Sequence, residues 1–342
     1  MRSEHEDQGD HAARRGGSGW WAFLRLARPT QWAKCGFVLI GPAYGYAAVT
    51  PDSARSVAGA VLAFALASSA CYVMNDLADR EADRVHPRKR KRPLASGAVS
   101  PGAARVFTGL LLAGAAGGIV LVPGAARLWL AACVALYVLN VFAYTAVLKR
   151  AVILDVISLA SGFVLRVLGG CAAAGVPPSS WLLNVTFFVS MFLAFGKRLG
   201  ERRTMGADAA AARSVQSMYT DELLRMAVVV TAVATLLTYS EYVASQAEGF
   251  TRGFNLFWLT MLPATYALLR CIVLLERGAY DDPTELAVRD RPFQLSVLLF
   301  ALLTVLLMTE VRIEHGGGAR GVAGPPGAVA PARAITGAER DP

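Results

Sequence analysis

The sequence is poor in charge: Asp, Glu, Lys and Arg make up only 17% of its 342 residues, while 55% are hydrophobic. Soluble domains average about 25% charged residues, and a mean hydropathy of +0.43 is too apolar for a water-exposed surface. The four histidines lack metal-ligand spacing, and the sequence contains no Ser-His-Asp arrangement, Gly-rich phosphate loop or dinucleotide signature. These absences disfavour hydrolase and redox chemistry and favour an integral membrane protein.

Cysteines are few and scattered. The five of them stand singly in apolar stretches, so neither a disulfide framework nor a paired-cysteine metal site is supported. We predict buried, inert thiols at Cys35, Cys71, Cys133, Cys171 and Cys271. The first 25 residues are polar and lack the apolar core of a secretory signal, so a disordered start over residues 1–25 is expected.

Nine mostly apolar stretches have about the 17 to 25 residues that cross a bilayer. They cover residues 34–50, 57–74, 101–122, 128–148, 152–174, 181–195, 226–245, 254–275 and 292–310. Lipid offers no partner to backbone N–H and C=O groups, so each stretch is predicted to be helical. The predicted fold is an all-α, nine-span bundle over residues 26–312, followed by a flexible Gly-, Pro- and Ala-rich tail over residues 313–342.

The connections between these stretches differ in charge. The N-terminal segment and the connections on its side together hold 23 Lys and Arg residues, and the connections on the other side hold only Arg55, Arg127 and Arg252. The positive-inside rule places the N-terminus and the basic connections in the cytoplasm and the tail outside. The basic connections are also the long ones, and long connections are often functional. We therefore expect a cytoplasm-facing active-site cavity.

An acidic motif follows the second apolar stretch, with Asn75, Asp76, Asp79 and Asp83. If the helix continues through it, residues 75, 79 and 83 stack on one face with Asp76 beside them. Mg²⁺ is usually held by one or two carboxylates together with substrate phosphates. The motif predicts such a site, with Asn75, Asp79 and Asp83 as ligands and Asp76, Asp79 and Asp83 as catalytic residues. Alternatively, these acids merely offset the neighbouring basic charge.

That basic charge follows directly in the chain. Candidate substrate-binding residues are Arg84, Lys89, Arg90, Lys91 and Arg92. Membrane topology alone explains Lys and Arg at this place. Cations beside a bound phosphate would also stabilise negative charge on a departing group, and the two explanations are compatible.

The Asn75-Asp76-x-x-Asp79-x-x-x-Asp83 pattern, the nine spans and the basic loop leading to Pro93-Leu94-Ala95-Ser96-Gly97 resemble the UbiA superfamily of intramembrane prenyltransferases. The resemblance covers roughly residues 25–312. In common members, this motif and a second aspartate motif after span six hold a prenyl diphosphate through Mg²⁺, and an aromatic acceptor is alkylated. Here the equivalent segment, residues 196–203, reads GKRLGERR and lacks the Asp-x-x-x-Asp pattern.

With basic residues in place of this second aspartate motif, the sequence is similar to one branch of the superfamily. That branch is the decaprenyl-phosphate phosphoribosyltransferases of actinobacterial cell-wall synthesis. The resemblance implies a plasma-membrane glycosyltransferase that depends on Mg²⁺ or Mn²⁺. Its donor would be phosphoribosyl pyrophosphate (PRPP) and its acceptor a polyprenyl phosphate such as decaprenyl phosphate, with a product used for arabinan. It implies no nucleic-acid partner and is compatible with a homo-oligomer. The alternative is a conventional prenyltransferase with a prenyl diphosphate donor and an aromatic or lipid acceptor.

Three phosphorylated centres in such substrates require more positive charge than a prenyl diphosphate does. Lys197, Arg198 and Arg202, with Arg203, supply cations where the usual family site is acidic. Glu201 is a candidate metal ligand or sugar-hydroxyl contact, unless it only forms an i, i+4 pair with Lys197.

Charges inside apolar spans are costly and are functional candidates by default. Asp155 and Arg166 lie about three helical turns apart and are expected to face the bundle interior as substrate contacts or as structural ion pairs. Lys34 and Lys149, at span ends, either contact phosphate or extend toward water. The last basic-side loop is either a wall of the polar cavity or a solvated acidic loop; its charged residues are Asp281, Asp282, Glu285, Asp290 and Arg291.

The sequence fits two other functional classes, a transporter or channel and a scaffold, less well. A transporter or channel would gather ionisable residues near the bilayer midplane, and only Arg166 lies clearly deep in a span. A scaffold would leave the spacing of the aspartates unexplained.

Overall fold

The computed structural model of the protein describes residues 19–45, 47–85, 89–205, 218–246, 254–278 and 289–318, with the side chains of all but 203–205 and 310–318. Every regular element within these ranges is helical. Eight helical segments there are long and apolar enough to cross a membrane, by length and composition. The prediction of an all-α, multi-pass membrane protein is thereby confirmed.

The α-helices are numbered here in chain order. They are α1 (Gly19–Ala27), α2 (Phe37–Tyr44), α3 (Pro51–Ala78), α4 (Arg80–Val85), α5 (Pro101–Val120), α6 (Gly124–Ala146), α7 (Leu154–Ala174), α8 (Ser180–Met205), α9 (Asp221–Ser245), α10 (Met261–Glu276) and α11 (Arg291–Gly318). Short 3₁₀ turns cover Pro29–Gly36, Lys89–Lys91, Leu148–Arg150 and Leu256–Thr260.

The first predicted span is shorter than expected. Instead of a helix over residues 34–50, the 3₁₀ turn Pro29–Gly36 leads into the eight-residue helix α2, which contains Pro42. Proline removes a helical hydrogen bond, and Gly45 follows at the helix end. Helix α2 lies directly against α7, where a Cβ on Gly170 would overlap the Val38 carbonyl oxygen. The first predicted span is therefore a short, broken element packed into the bundle.

Both predicted domain boundaries require correction. Helix α1 starts at Gly19, inside the stretch expected to be disordered, because Ala22 and Leu26 are buried against Ala70 and Val73 of α3. Helix α11 continues to Gly318, inside the predicted tail, since no Gly or Pro interrupts residues 293–315. Residues 1–18 and 319–342 lie outside the described residues.

Two apolar clusters hold the bundle together. One joins α3, α6 and α7 around Phe64 and Leu130, and the other joins α7, α8, α9 and α10 around Phe192 and Leu275. Small residues let the helices approach closely; at Gly59 of α3 a Cβ would meet the Gly118 carbonyl oxygen at 2.6 Å. All five cysteines are buried and free of disulfides, which confirms the predicted burial.

Polar contacts identify which helix ends lie together. Asn75 near the end of α3 meets Thr145 near the end of α6, Asp155 at the start of α7 meets Arg198 near the end of α8, and Arg225 of α9 meets Glu276 of α10. These ends form one face of the bundle, called the basic end below. The acidic motif lies there.

Candidate active site

The acidic motif lies where α3 ends. Helix α3 stops at Ala78, Asp79 caps it, and α4 begins at Arg80. The backbone N–H of Asp79 donates to the Asn75 carbonyl (2.9 Å) and that of Asp83 to the Asp79 carbonyl (2.8 Å). Helical hydrogen bonding thus continues, but the single unbroken helix expected from the sequence is interrupted at Asp79.

Arginines bring Asp76 and Asp83 together. Nη1 of Arg92 lies 3.1 Å from Asp76 Oδ1 and 2.7 Å from Asp83 Oδ2, and Nη2 of Arg28 lies 2.6 Å from Asp76 Oδ1. Both carboxylates are buried, and Lys89 Nζ is 4.0 Å from Asp83. Because residues 76 and 83 are two helical turns apart, they share a face. Two of the three predicted catalytic aspartates, Asp76 and Asp83, are therefore compensated by arginine charge.

Asn75 and Asp79 face other surroundings. The Thr145 hydroxyl donates to Asn75 Oδ1 at 3.0 Å. The half-buried carboxylate of Asp79 has no hydrogen bond or ion pair with any described residue. No group of three or more metal-ligating side chains forms within the described part of the chain. The expected ligands Asn75, Asp79 and Asp83 are thus not gathered into one metal cluster, because Asp83 turns toward Arg92.

A polar cavity of about 150 Å³ opens beside Asn75, between α3, α6 and α7. At about 30 Å³ for each water in the liquid, it has room for about five waters. Its walls combine amide, hydroxyl and aromatic groups with two cations. They are formed by Lys34, Ser68, Cys71, Tyr72, Asn75, Tyr137, Asn140, Val141, Tyr144, Ser158, Leu159, Gly162, Phe163 and Arg166.

Arg166 lies in the wall of this cavity and is 4% exposed. Its Nη1 donates to the Gly162 carbonyl (2.8 Å) and its Nη2 to the Tyr137 hydroxyl (3.0 Å). Its guanidinium carbon is 4.4 Å from the centroid of the Tyr137 ring and 5.5 Å from that of Phe163. All these partners are neutral, and no described carboxylate is within ion-pair distance. The structural ion pair considered for Arg166 is not formed with any described acid.

Asp155 and Arg198 pair with each other instead of lining the cavity. Asp155 is fully buried, Arg198 is 4% exposed, and Arg198 Nη2 donates to Asp155 Oδ2. The Tyr219 hydroxyl donates to Asp155 Oδ1 at 2.7 Å. Burial and this hydrogen bond raise the pKa of Tyr219. The substrate contacts predicted for Asp155 and Arg198 stay a prediction, and helix packing between α7 and α8 buries both side chains against each other.

Two other predicted cations also have protein partners. Arg202 Nε lies 2.6 Å from Asp221, and Arg84 lies 2.9 Å from Glu81 at the exposed surface. Neither arginine lines the polar cavity. The prediction that these two arginines bind substrate is not supported by their positions.

The remaining predicted cations lie at the basic end with different exposure. Lys34 is exposed at the cavity rim, and Lys149 is half-buried without a described ion-pair partner. Arg90 and Lys91 are exposed on a 3₁₀ turn. Lys197 and Glu201 are half-buried near the end of α8. Of this group, only Lys34 lines the cavity.

The acidic loop before α11 is described only at its end. Asp290 forms a two-pronged pair with Arg270, at 3.2 and 2.9 Å. This pairing lowers the pKa of Asp290. Arg291 is exposed as the first residue of α11. Asp281, Asp282 and Glu285 lie outside the described residues.

Four site residues were not predicted. Arg28 pairs with Asp76 despite a left-handed backbone (φ 52°), and Thr145 binds Asn75. Tyr137 and Asn140 lie one helical turn apart within α6 and line the cavity. Polar residues inside an apolar span are functional candidates, so that signal was present for Tyr137 and Asn140.

The sequence of the chain is similar to those of known proteins. The profile of the UbiA prenyltransferase family matches residues 35–298. A decaprenyl-phosphate phosphoribosyltransferase of Mycolicibacterium smegmatis is 33% identical over 289 residues, covering 80% of this chain and 88% of that protein. One from Corynebacterium glutamicum is 32% identical over 286 residues, covering 83% and 85%.

A solved structure is similar in fold. It is a UbiA homologue from Archaeoglobus fulgidus bound to GPP and Mg²⁺, with a TM-score of 0.60 and 16% identity. The alignment covers 86% of this chain and 99% of that one. The same homologue bound to Cd²⁺ gives a TM-score of 0.58 at 17% identity, covering 84% and 99%. At this identity the likeness concerns the fold.

Proposed function

The chain belongs to the UbiA prenyltransferase family, and from this membership we propose that it transfers the 5-phosphoribosyl group of PRPP to a polyprenyl phosphate. The products are polyprenylphosphoryl-5-phosphoribose and pyrophosphate. The observation that carries the proposal is the similarity, over four fifths of the chain, to proteins named decaprenyl-phosphate phosphoribosyltransferase. Decaprenyl phosphate is accordingly the acceptor we propose.

The charges at the basic end support a donor rich in phosphate. The segment 196–203, where a second acidic motif would hold a prenyl diphosphate, is basic. Around the polar cavity and the acidic motif stand Arg28, Lys34, Arg92 and Arg166. Guanidinium groups bind phosphate oxygens with paired, charge-assisted hydrogen bonds. This surplus of cations fits PRPP and a lipid phosphate better than it fits a prenyl diphosphate and an aromatic acceptor.

A divalent cation fits the residues present. Because Mg²⁺ is usually bound by one or two carboxylates plus substrate phosphates, a cage of three carboxylates is not needed. Asp79, which has no described partner, and Asp83 would hold Mg²⁺ or Mn²⁺, with the amide oxygen of Asn75 nearby. When bound, the metal supplies positive charge to the departing pyrophosphate.

The side chains of this protein then have distinct roles. Arg92 exchanges a carboxylate for a phosphate oxygen, since both anions match its planar donors, and Arg28 keeps Asp76 in place. An ionised oxygen of the polyprenyl phosphate attacks C1 of ribose from the face opposite the pyrophosphate, with inversion. It needs little help from a base, so positioning and charge stabilisation accelerate the reaction.

The position of the site supports a meeting of a soluble and a lipid substrate. By the positive-inside rule the basic end faces the cytoplasm, where PRPP is dissolved, and we place the protein in the plasma membrane. Beside the polar cavity lies an apolar cavity of about 280 Å³ whose walls include Phe37, Trp181 and Phe300. It offers an apolar surface to part of a polyprenyl chain.

The test compares two substrate pairs on the same preparation. Purified full-length protein in detergent receives Mg²⁺ with PRPP and decaprenyl phosphate, or Mg²⁺ with geranyl diphosphate and an aromatic acid. We expect a phosphoribosylated lipid by mass spectrometry and stoichiometric pyrophosphate from the first pair only. A prenylated aromatic product from the second pair, with none from the first, would replace the proposal with a conventional prenyltransferase.

A further inference from the structure

Arg166 carries a charge that the described protein does not neutralise. It is buried in α7, a candidate membrane span, and its polar partners are a carbonyl and a phenol. Its Nε is buried without a hydrogen-bond partner. A buried cation without a counter-ion is strongly unfavourable. An anion bound in the adjoining cavity would supply both the missing charge and the missing acceptor.

The cavity walls suit such an anion. The residues that line it include Lys34 and Arg166 but no Asp or Glu. Its volume of about 150 Å³ corresponds to about five waters, and a phosphate group contributes five heavy atoms. The cavity is therefore large enough for one phosphate group beside Arg166.

We propose that Arg166 binds the phosphate on C5 of the donor ribose and thereby selects a sugar donor that carries this phosphate. The inference rests on the proposed function and specifies which substrate group lies deepest. The distance between the two sites can be estimated along helix α3. Cys71 lines the same cavity as Arg166, and Asp79 follows eight residues later, about 12 Å along the axis. PRPP carries its two anionic ends on opposite sides of one pentose ring. Its pyrophosphate then lies at Asp79 while its C5 phosphate lies at Arg166.

The lipid phosphate fits this position less well. The rings of Phe37 and Phe163 pack with centroids 4.6 Å apart. Phe163 lines the polar cavity and Phe37 the apolar one, so the pair separates the two. A polyprenyl phosphate bound at Arg166 would have to thread its chain past this aromatic pair.

The first experiment removes the charge from the protein and the phosphate from the substrate. Turnover is measured with PRPP and with ribose 1-pyrophosphate, which lacks the C5 phosphate, for wild type and Arg166→Met. In wild type we expect kcat/KM to favour PRPP by about 10- to 100-fold, the range of a charged hydrogen bond. Arg166→Met should remove most of this preference, whereas the exposed Arg105→Met, which removes a cation from the surface of α5, should retain it.

A second variant fills the space and keeps the charge. A Cβ on Gly162 would lie 3.6 Å from Tyr137, 3.7 Å from Asn140 and 3.8 Å from Arg166, all ordinary contacts. Gly162→Ala should therefore fold normally, with an unchanged or higher Tm, because alanine favours a helix over glycine. The added methyl group occupies part of the phosphate space. We expect a several-fold higher KM for PRPP and little change for ribose 1-pyrophosphate.

Direct binding separates this inference from the proposed function. Ribose 5-phosphate is titrated into each protein without divalent cation by calorimetry, and decaprenyl phosphate in a parallel series. Ribose 5-phosphate should bind wild type and lose at least about tenfold in affinity in Arg166→Met.

The assignment is overturned if Arg166→Met lowers kcat/KM equally for PRPP and for ribose 1-pyrophosphate. An unchanged KM for PRPP in Gly162→Ala also overturns it. Weakened decaprenyl phosphate binding with unaltered ribose 5-phosphate binding assigns Arg166 to the lipid and also overturns it. If wild type turns over neither donor, the proposed function fails, but the titration still tests the phosphate site.

Discussion

Two networks of arginine and carboxylate groups at the basic end have the same chemistry and different surroundings. The mouth network consists of Arg28, Asp76, Asp83 and Arg92, and the sealed network of Asp155, Arg198 and Tyr219. The arginine side chains of the mouth network are 29% and 30% exposed, and that of the sealed network is 4% exposed. Arg198 is thus sealed against a carboxylate of its own, whereas the arginines of the mouth network stay partly accessible from the basic end.

The energetic consequence follows from desolvation. A buried ion pair that loses one partner leaves an uncompensated charge in an apolar interior, which strongly favours unfolding. In the mouth network the arginines are partly exposed and screened by water, and Asp76 has a second cation in Arg28, so Arg92 can change partners without leaving that carboxylate unpaired. We therefore expect substitutions in the sealed network to change stability and substitutions around the mouth to change turnover.

Arg198→Met should have the largest effect. It leaves Asp155 buried without its cation and should lower the free energy of unfolding by about 3 to 5 kcal/mol. Thermal unfolding in detergent measures this loss. In the double variant Asp155→Leu/Arg198→Met no buried charge remains, so much of the stability should return. An unchanged Tm with lost turnover would instead return Arg198 to the substrate site.

Asp79→Asn should come next and act on turnover. The substitution keeps the shape of the side chain and removes charge from a carboxylate with no described partner, so the Tm should stay near that of wild type. Without this proposed metal ligand, kcat with PRPP should fall at least about 100-fold, equivalent to about 2.7 kcal/mol. The matched control Asp52→Asn removes a carboxylate from an exposed pair with Arg55 and should change neither quantity. Full activity in Asp79→Asn would remove this residue from the site.

Arg202→Gln should have the smallest effect. Arg202 and Asp221 side chains are 27% and 46% exposed, and surface pairs of this kind contribute about 0 to 1 kcal/mol. We expect less than that loss in unfolding free energy and a KM for PRPP close to the wild-type value in steady-state assays. A tenfold higher KM would restore the phosphate contact that the sequence predicts for Arg202.

Hydropathy was sufficient to predict the all-helical bundle. Lipid offers no partner to backbone N–H and C=O groups, so an apolar segment that spans a bilayer has to satisfy them within its own helix. Hydropathy overestimated the first span, where Pro42 and Gly45 shorten the helix within a run that is still apolar. The polar composition of the first 25 residues did not predict α1. This helix forms because Ala22 and Leu26 pack against α3.

The pairing of charged side chains with one another was harder to predict from the sequence than the position of the acidic motif. Asp76, Asp79 and Asp83 were predicted from local spacing, and all three lie at the basic end. The pairing of Asp155 with Arg198 joins residues 43 positions apart, and spacing within one helix says nothing about it. Arg28 was overlooked for the same reason, since its partner Asp76 is 48 residues away.

Helix α1 has a consequence for how deeply the bundle sits in the lipid. Its Trp20 and Trp21 side chains are 75% and 64% exposed, while Leu26 is fully buried on α3. Indole rings favour the headgroup layer, where one side is apolar and the other hydrated. Arg28 follows one residue after this helix and holds Asp76. We therefore expect these tryptophans to hold the acidic motif at the level of the headgroup layer.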